Sequence, residues 1–213
     1  MVKIISIEGN IGSGKTTLLK RLKEDLKDNS NIIFLREPVD EWLNIKDGNG
    51  VSILEKFYKD QERYSFPFQM MAYITRLSIL RDAVKTKPDA TIITERSLYT
   101  DREVFAKMLF DQGKIEDVNY QIYLKWFDEF AKEYQIYKNV YVKTDPEICH
   151  QRISKRSRQG EEVIPLEYLK ECDKYHEEFL KDETNRILLD GNVDIFENPD
   201  TLNNWIQQIE NEL

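Results

Sequence analysis

Near the N-terminus, Gly9-Asn10-Ile11-Gly12-Ser13-Gly14-Lys15-Thr16 satisfies G-x-x-x-x-G-K-[ST] at every defined position. A glycine-rich turn of this type needs a strand before it and a helix after it, and both neighbours are legible. Val2-Lys3-Ile4-Ile5-Ser6-Ile7 is apolar and β-branched, as a buried strand requires, while Thr17-Leu18-Leu19-Lys20-Arg21-Leu22 carries apolar residues at helical spacing. The loop, taken as residues 9–17 with Thr17 closing it, would curl its backbone N–H groups around a polyphosphate at the positive end of the helix dipole. Lys15 would reach the β- and γ-phosphates, and the Thr16 hydroxyl would ligate Mg²⁺. A bound nucleoside triphosphate is the expectation.

Five β-rich runs, 2–7, 31–36, 90–95, 138–143 and 186–190, punctuate the 213 residues. Helical patterns lie between them at roughly 15–28, 52–64, 66–86, 102–112, 118–136, 146–158, 165–182 and 199–212. Strands alternating with helices predict an α/β fold, a five-stranded parallel sheet with helices on both faces. Pro146 and Pro165 suit the first turns of helices. No repeat or linker interrupts residues 1–213, so one domain is expected. No apolar run is long enough to span a bilayer, and a net charge of −8 argues against a nucleic-acid partner. Cys149 and Cys172 have no metal-type spacing and read as ordinary packing or surface residues. With no leader-like stretch before the first strand, a reducing cytoplasmic location is the expectation.

Ligands of such sheets sit at the carboxyl ends of the strands. Glu37-Pro38-Val39-Asp40-Glu41-Trp42 follows the second run and Glu95-Arg96-Ser97 the third. Two carboxylates and an arginine beside a polyphosphate loop suit phosphoryl transfer, which needs a base, a metal ligand and a cation. A GTPase reading fails: Asp47-Gly48-Asn49-Gly50 matches D-x-x-G but sits in a polar loop after no strand, and N-K-x-D is absent.

From the P-loop to about residue 190 the chain resembles the deoxyribonucleoside kinase family, nearest its deoxycytidine, deoxyguanosine and deoxyadenosine kinase-like branch. The pieces are Glu37-Pro38-Val39 with Trp42, Tyr58, Pro67-Phe68-Gln69, Arg76, Glu95-Arg96-Ser97, Asp101, Phe105, and Arg152 through Tyr168. The resemblance implies a P-loop kinase fold with an arginine-rich lid at about 152–165. It implies transfer of the ATP γ-phosphoryl group to the 5′-hydroxyl of a deoxynucleoside, in nucleotide salvage. Glu37 would take the 5′-hydroxyl proton, with Arg96 on the same oxygen, although both glutamates lie near it. Glu95 and Thr16 would hold Mg²⁺. Tyr58 and Glu161 would read the 3′-hydroxyl, Trp42 would wall the substrate site, and Arg152, Arg156 and Arg158 would close on ATP. Residues near Asp194-Ile195-Phe196 would meet the adenine. A homodimer formed through helices and feedback by the end-product triphosphate are also implied.

The residues agree with that picture. Gln69, Ala72 and Arg76 share one helix face, and Asp101 and Phe105 share another. Phe68 and Phe105 can form a flat slot for a base, with Gln69 and the Arg76–Asp101 pair at its edge. A glutamine amide and a carboxylate suit the amino group and ring nitrogen of adenine or cytosine, and repel the carbonyl of thymine. Guanine stays open, since the amide can flip and Arg76 can donate to O6 or N7. Phe57 and Met70-Met71-Tyr73 depart from the branch, which leaves the order of the three bases open. The competing readings are a nucleoside monophosphate kinase of thymidylate-kinase type and a non-catalytic nucleotide sensor. Neither explains Glu37, Glu95 and Arg96 together. Tyr120, Tyr123, Leu124, Phe127, Phe130, Ala131 and Tyr134 make an apolar stripe on the 118–136 helix, read mainly as core with a dimer face beside it.

Overall fold

The computed structural model describes residues 2–156 and 164–213. Its five strands are β1 (Lys3–Glu8), β2 (Ile32–Leu35), β3 (Thr91–Glu95), β4 (Lys138–Lys143) and β5 (Arg186–Asp190). They pair in the order β2-β3-β1-β4-β5, every neighbour parallel. β1 is central, and Ile4, Ile5 and Ile7 are fully buried because helices cover both faces. Alternation along this strand sends Ile5 and Ile7 to one core cluster and Ile4 to another. The first packs on helices α1 (Lys15–Asp25) and α10 (Pro199–Glu210) through Leu18, Leu22, Trp205 and Ile206. The second packs on α4 (Gln61–Thr86) and α7 (Asp117–Phe130) through Tyr73, Leu77, Tyr123 and Phe127.

A third cluster lies beyond the strand ends and shapes the site. It joins α2 (Val39–Asn44), α3 (Ile53–Lys59), α8 (Pro146–Arg156) and α9 (Leu166–Phe179) through Trp42, Phe57, Ile153, Tyr168 and Cys172. Between β3 and α7 the chain forms α5 (Leu98–Thr100), a π-helical stretch Asp101–Ala106, and α6 (Lys107–Asp111).

Several boundaries differ from the sequence expectation. The break expected near residue 65 falls at Asp60, whose side chain accepts from Arg63 N and caps α4. Pro67 lies inside that helix, where it removes one backbone hydrogen bond. Its exposed position leaves the freed carbonyl open to water. The helix expected at 118–136 ends at Phe130. Short α2 had no expected counterpart.

Candidate active site

The carboxyl ends of β1, β2 and β3 converge on a cavity of about 630 Å³. Its lining runs from the P-loop, through Glu37, Glu95 and Arg96, to the aromatic residues of the third cluster. On the loop, Gly9, Gly12 and Gly14 all take positive φ. A Cβ at Gly9 would stand 2.5 Å from the Val142 carbonyl oxygen, and one at Gly12 would stand 2.7 Å from that of Cys149. Glycine is therefore required at both, by conformation and by space. Asn10 pins the loop from below: its Nδ2 donates to the Leu169 carbonyl at 2.8 Å and its Oδ1 accepts from Ile11 N. Residues Ile11 to Thr17, including Ser13, line the cavity.

Lys15 is buried and points back into its own loop, donating to the carbonyls of Gly9 (2.9 Å) and Asn10 (2.6 Å). Burial and the neighbouring Arg96 guanidinium lower its pKa to about 7. Thr16 Oγ1 donates to Glu95 Oε1 at 2.6 Å, while Glu95 Oε2 is buried without a hydrogen-bond partner among the described residues. A hydroxyl and a carboxylate with one oxygen unspent form a hard-oxygen set, the kind Mg²⁺ prefers.

Glu37 Oε1 accepts from Arg96 Nη1 at 2.8 Å and from Arg76 Nη2 at 3.0 Å. Burial pushes its pKa up, but the two guanidinium groups outweigh burial and hold it at about 2. Glu37 is thus a carboxylate at every working pH. Arg96 also spans the site, donating from Nη2 to the Gly9 carbonyl at 3.3 Å and lying 5.1 Å above the Phe105 ring.

The aromatic end is a stack. Phe57 lies against Phe68 with ring centroids 4.5 Å apart, and Trp42 meets Phe68 edge-on at 5.4 Å. Trp42 Nε1 donates to Thr75 Oγ1, which fixes its plane. Tyr58, Phe105 and Gln69 line the same space, as does Asp101. Arg76 is the exception among the expected substrate contacts. It does not line the cavity; it lies behind the wall, 2 % exposed, with Nε on Asp101 (2.8 Å) and Nη1 on the Glu95 carbonyl (2.7 Å). Its five donors are drawn to three acceptors that together frame the pocket. Burial raises the pKa of Asp101 against the pull of Arg76.

On the donor side, Arg152 and Arg156 of α8 both line the cavity, and Arg152 Nη1 donates to the Gly191 carbonyl at 2.9 Å. Asp194, Ile195 and Phe196 complete that end. Arg158 and Glu161 lie outside the described residues. The sequence reading missed Val39, Leu54 and Asn192 as lining residues. Ordinary apolar or loop residues of this kind carry no signal until the fold brings them together. Cys149 and Cys172 are free and buried, as expected, and burial raises their thiols to about 11 and 12.

Comparison with known proteins follows the same lines. The family model for deoxynucleoside kinases matches residues 5–213. The chain is 37 % identical over 183 residues to a probable deoxycytidine kinase of fowlpox virus (strain NVSL), covering 84 % of this chain and 72 % of that protein. It is 35 % identical over 181 residues to thymidine kinase 2, mitochondrial, of Homo sapiens, covering 83 % and 64 %. To deoxycytidine kinase of Homo sapiens it is 33 % identical over 199 residues, covering 84 % and 75 %.

Proposed function

The chain belongs to the deoxynucleoside kinase family and is an ATP-dependent kinase of the nucleoside 5′-hydroxyl, a salvage activity; from that premise we propose that its acceptor is deoxycytidine or a purine deoxynucleoside, with thymidine a poor substrate. The observation that carries this reading is the buried Arg76–Asp101 pair at 2.8 Å beside Gln69. Arg76 keeps a carboxylate fixed at the pocket edge, where it accepts from an exocyclic amino group and repels the carbonyl that thymine presents there. Phe68 and Phe105 flank the base, with Trp42 and Tyr58 closing the sugar end and Tyr58 meeting the 3′-hydroxyl.

In the reaction, Glu37 accepts the hydrogen bond of the 5′-hydroxyl and takes its proton as bond formation to phosphorus acidifies it. Arg96 stabilises the same oxygen and the transferred phosphoryl group. Gly9 to Thr17 cradle the phosphates, and Lys15 turns from its loop carbonyls to the β- and γ-oxygens. Arg152 and Arg156, which line the cavity, close on that polyphosphate. Mg²⁺ fits the Thr16 and Glu95 oxygens and would neutralise charge between the β- and γ-phosphates. The monophosphate-kinase alternative has no use for Glu37, because its acceptor is already ionised.

We further propose a single kinase domain across residues 1–213, acting in the cytoplasm as a homodimer without a nucleic-acid partner. Two free buried thiols and the charge of −8 support the compartment and the absence of nucleic acid. No helix among the described residues is long and apolar enough to cross a membrane. The outward residues Val118, Ile122, Trp126 and Phe130 of α7, with Ile74 of α4, support the dimer.

The decisive experiment measures ADP formation by pure protein with each deoxynucleoside and each monophosphate. Turnover with deoxycytidine or a purine deoxynucleoside, and little with thymidine, is expected. Replacing Arg76 by Met and Asp101 by Ala together should raise thymidine turnover relative to the others. Wild-type preference for thymidine, or consumption only with monophosphates, would overturn the reading.

A further inference from the structure

Glu8, the last residue of β1, has no exposed surface and takes no part in the chemistry described above. It lies on the sheet face that Ile4 shares with α4 and α7, an apolar setting in which a carboxyl group is expensive to keep. The nearby guanidinium groups pair with Glu37 and Asp101 instead. Hydroxyl groups hold Glu8: Ser6 Oγ donates to its Oε1 at 2.5 Å, and Thr100 Oγ1 donates to its Oε2 at 2.5 Å.

Thr100 is the hub of a second set of bonds. Having given its single hydroxyl proton to Glu8, its oxygen accepts from Ser97 N at 3.3 Å and faces Ser97 Oγ at 3.0 Å. Ser97 Oγ in turn accepts from Thr100 N, so the two residues close a reciprocal cap on α5. The residue immediately before this cap is Arg96, the one non-glycine with positive φ (61°) among the described residues. A side chain there is strained and persists only if its surroundings over-determine it. Two bonds fix Arg96 from the strand side: its N–H donates to the Ile7 carbonyl, and its carbonyl accepts from Thr94 Oγ1. The cap fixes it from the helix side.

We propose that Glu8, acting through Thr100, is a positioning residue that holds the Arg96 turn and registers it against the P-loop. Glu8 can do both because the next residue is Gly9, whose carbonyl accepts from the Arg96 guanidinium. A single buried carboxyl thus ties the strand end that begins the donor loop to the turn that aims a cation at the acceptor oxygen. The sequence hid this role, since the partner that links Glu8 to the Arg96 turn, Thr100, lies 92 residues away in sequence.

The proposal rests on the role given to Arg96 above, and the experiment separates the two. Thr100→Val removes the hydroxyl at nearly constant shape. Turnover should fall about 10- to 100-fold, as displacement of a reacting group by roughly 1 Å can do, with KM for ATP moving less than about threefold. Thr100→Ser, which keeps the hydroxyl, should restore turnover to within about threefold of the parent. Should Thr100→Val fail to fold, Glu8→Met supplies the measurement, since it removes the carboxyl oxygen that accepts from the Thr100 hydroxyl and should also lower kcat. Folded Thr100→Val with full kcat, lost thermal stability with kcat intact, or a serine variant no better than valine overturns the proposal. Arg96→Ala is the companion: full turnover there overturns the role of Arg96 itself, whereas an inactive Arg96→Ala beside a fully active Thr100→Val overturns the Glu8 link alone.

Discussion

Glu37 carries two arginines on one oxygen, and that arrangement decides how its replacement should behave. Glu37→Gln keeps the shape but can take no proton, so turnover should drop about 10²- to 10⁴-fold in a steady-state assay. The same substitution has a thermodynamic signature. The folded-state pKa of Glu37, about 2, lies below its ordinary 4.5, so its ionisation stabilises the fold fully above pH 4.5. That contribution is lost as the pH falls from 4.5 through about 2. Acid unfolding of Glu37→Gln, followed by circular dichroism, should therefore be less steep in pH over that window. Lys15 makes the opposite kind of statement. With its pKa near 7, it is mostly neutral at pH 8, and polyphosphate oxygens will favour its charged form. ATP binding at pH 8 should take up close to one proton, an uptake that shrinks below pH 7. Calorimetry in two buffers of different ionisation enthalpy reads it directly, and a buffer-independent enthalpy would contradict it. Lys15, Thr16, Glu37 and Glu95 were legible because motif and strand-end position name them. Arg76 was legible as a member of the site but not as one behind its wall, because helical spacing fixes a face and not a depth.

At the scale of elements, the described strands and the parallel pairing were readable: central β1, β3 and β4 are largely buried, and edge strands β2 and β5, though only partly buried, still carry short apolar runs. Helix boundaries were less so. Pro67 marked a break that the fold does not make, because an exposed proline near a helix start forfeits one bond to water and little else. The true boundary is a side-chain cap, Asp60 on Arg63 N at 3.2 Å, which sequence offers as one aspartate among many. Asp60→Ala should lower stability by about 1 kcal/mol in a urea titration. The π-helical stretch was equally hidden. It begins at Asp101 and ends just past Phe105, and its wider turn sets both residues against the base pocket. No residue pattern announces such a turn; the bonds of Ser97, Thr100 and Glu8 around its start do, and they join only in the folded chain.

For the whole molecule, the open question is what covers α7. Its inner side was foreseen as core, and Tyr123 and Phe127 are indeed buried there. The dimer face expected beside that core stripe had no residues named for it: Val118, Ile122 and Trp126 recur every fourth residue and stand 61, 42 and 43 % exposed, and Phe130, expected within the core stripe, is 39 % exposed. Singly exposed apolar residues need no explanation, but four at helical spacing along one face of α7 support the proposed dimer. Trp126 and Phe130 already lie against one another, ring centroids 5.3 Å apart, so the stripe presents a formed aromatic surface. A two-fold pairing would bury it against itself, with the same residues on both copies. Light scattering of the parent protein should give twice the chain mass, and Ile122→Asp with Trp126→Asp should give a monomer, because two charges would face their own symmetry mates. The catalytic consequence follows from geometry. The P-loop, Glu37, Arg96 and the aromatic pocket all line one cavity of one chain. Turnover per chain should therefore survive dissociation. The outcome that would reverse this view is a monomeric variant, folded by circular dichroism, whose turnover has collapsed; α7 would then be holding Tyr73 and the face of α4 that carries Gln69 and Arg76, through the Tyr73 hydroxyl bond to the Trp126 carbonyl.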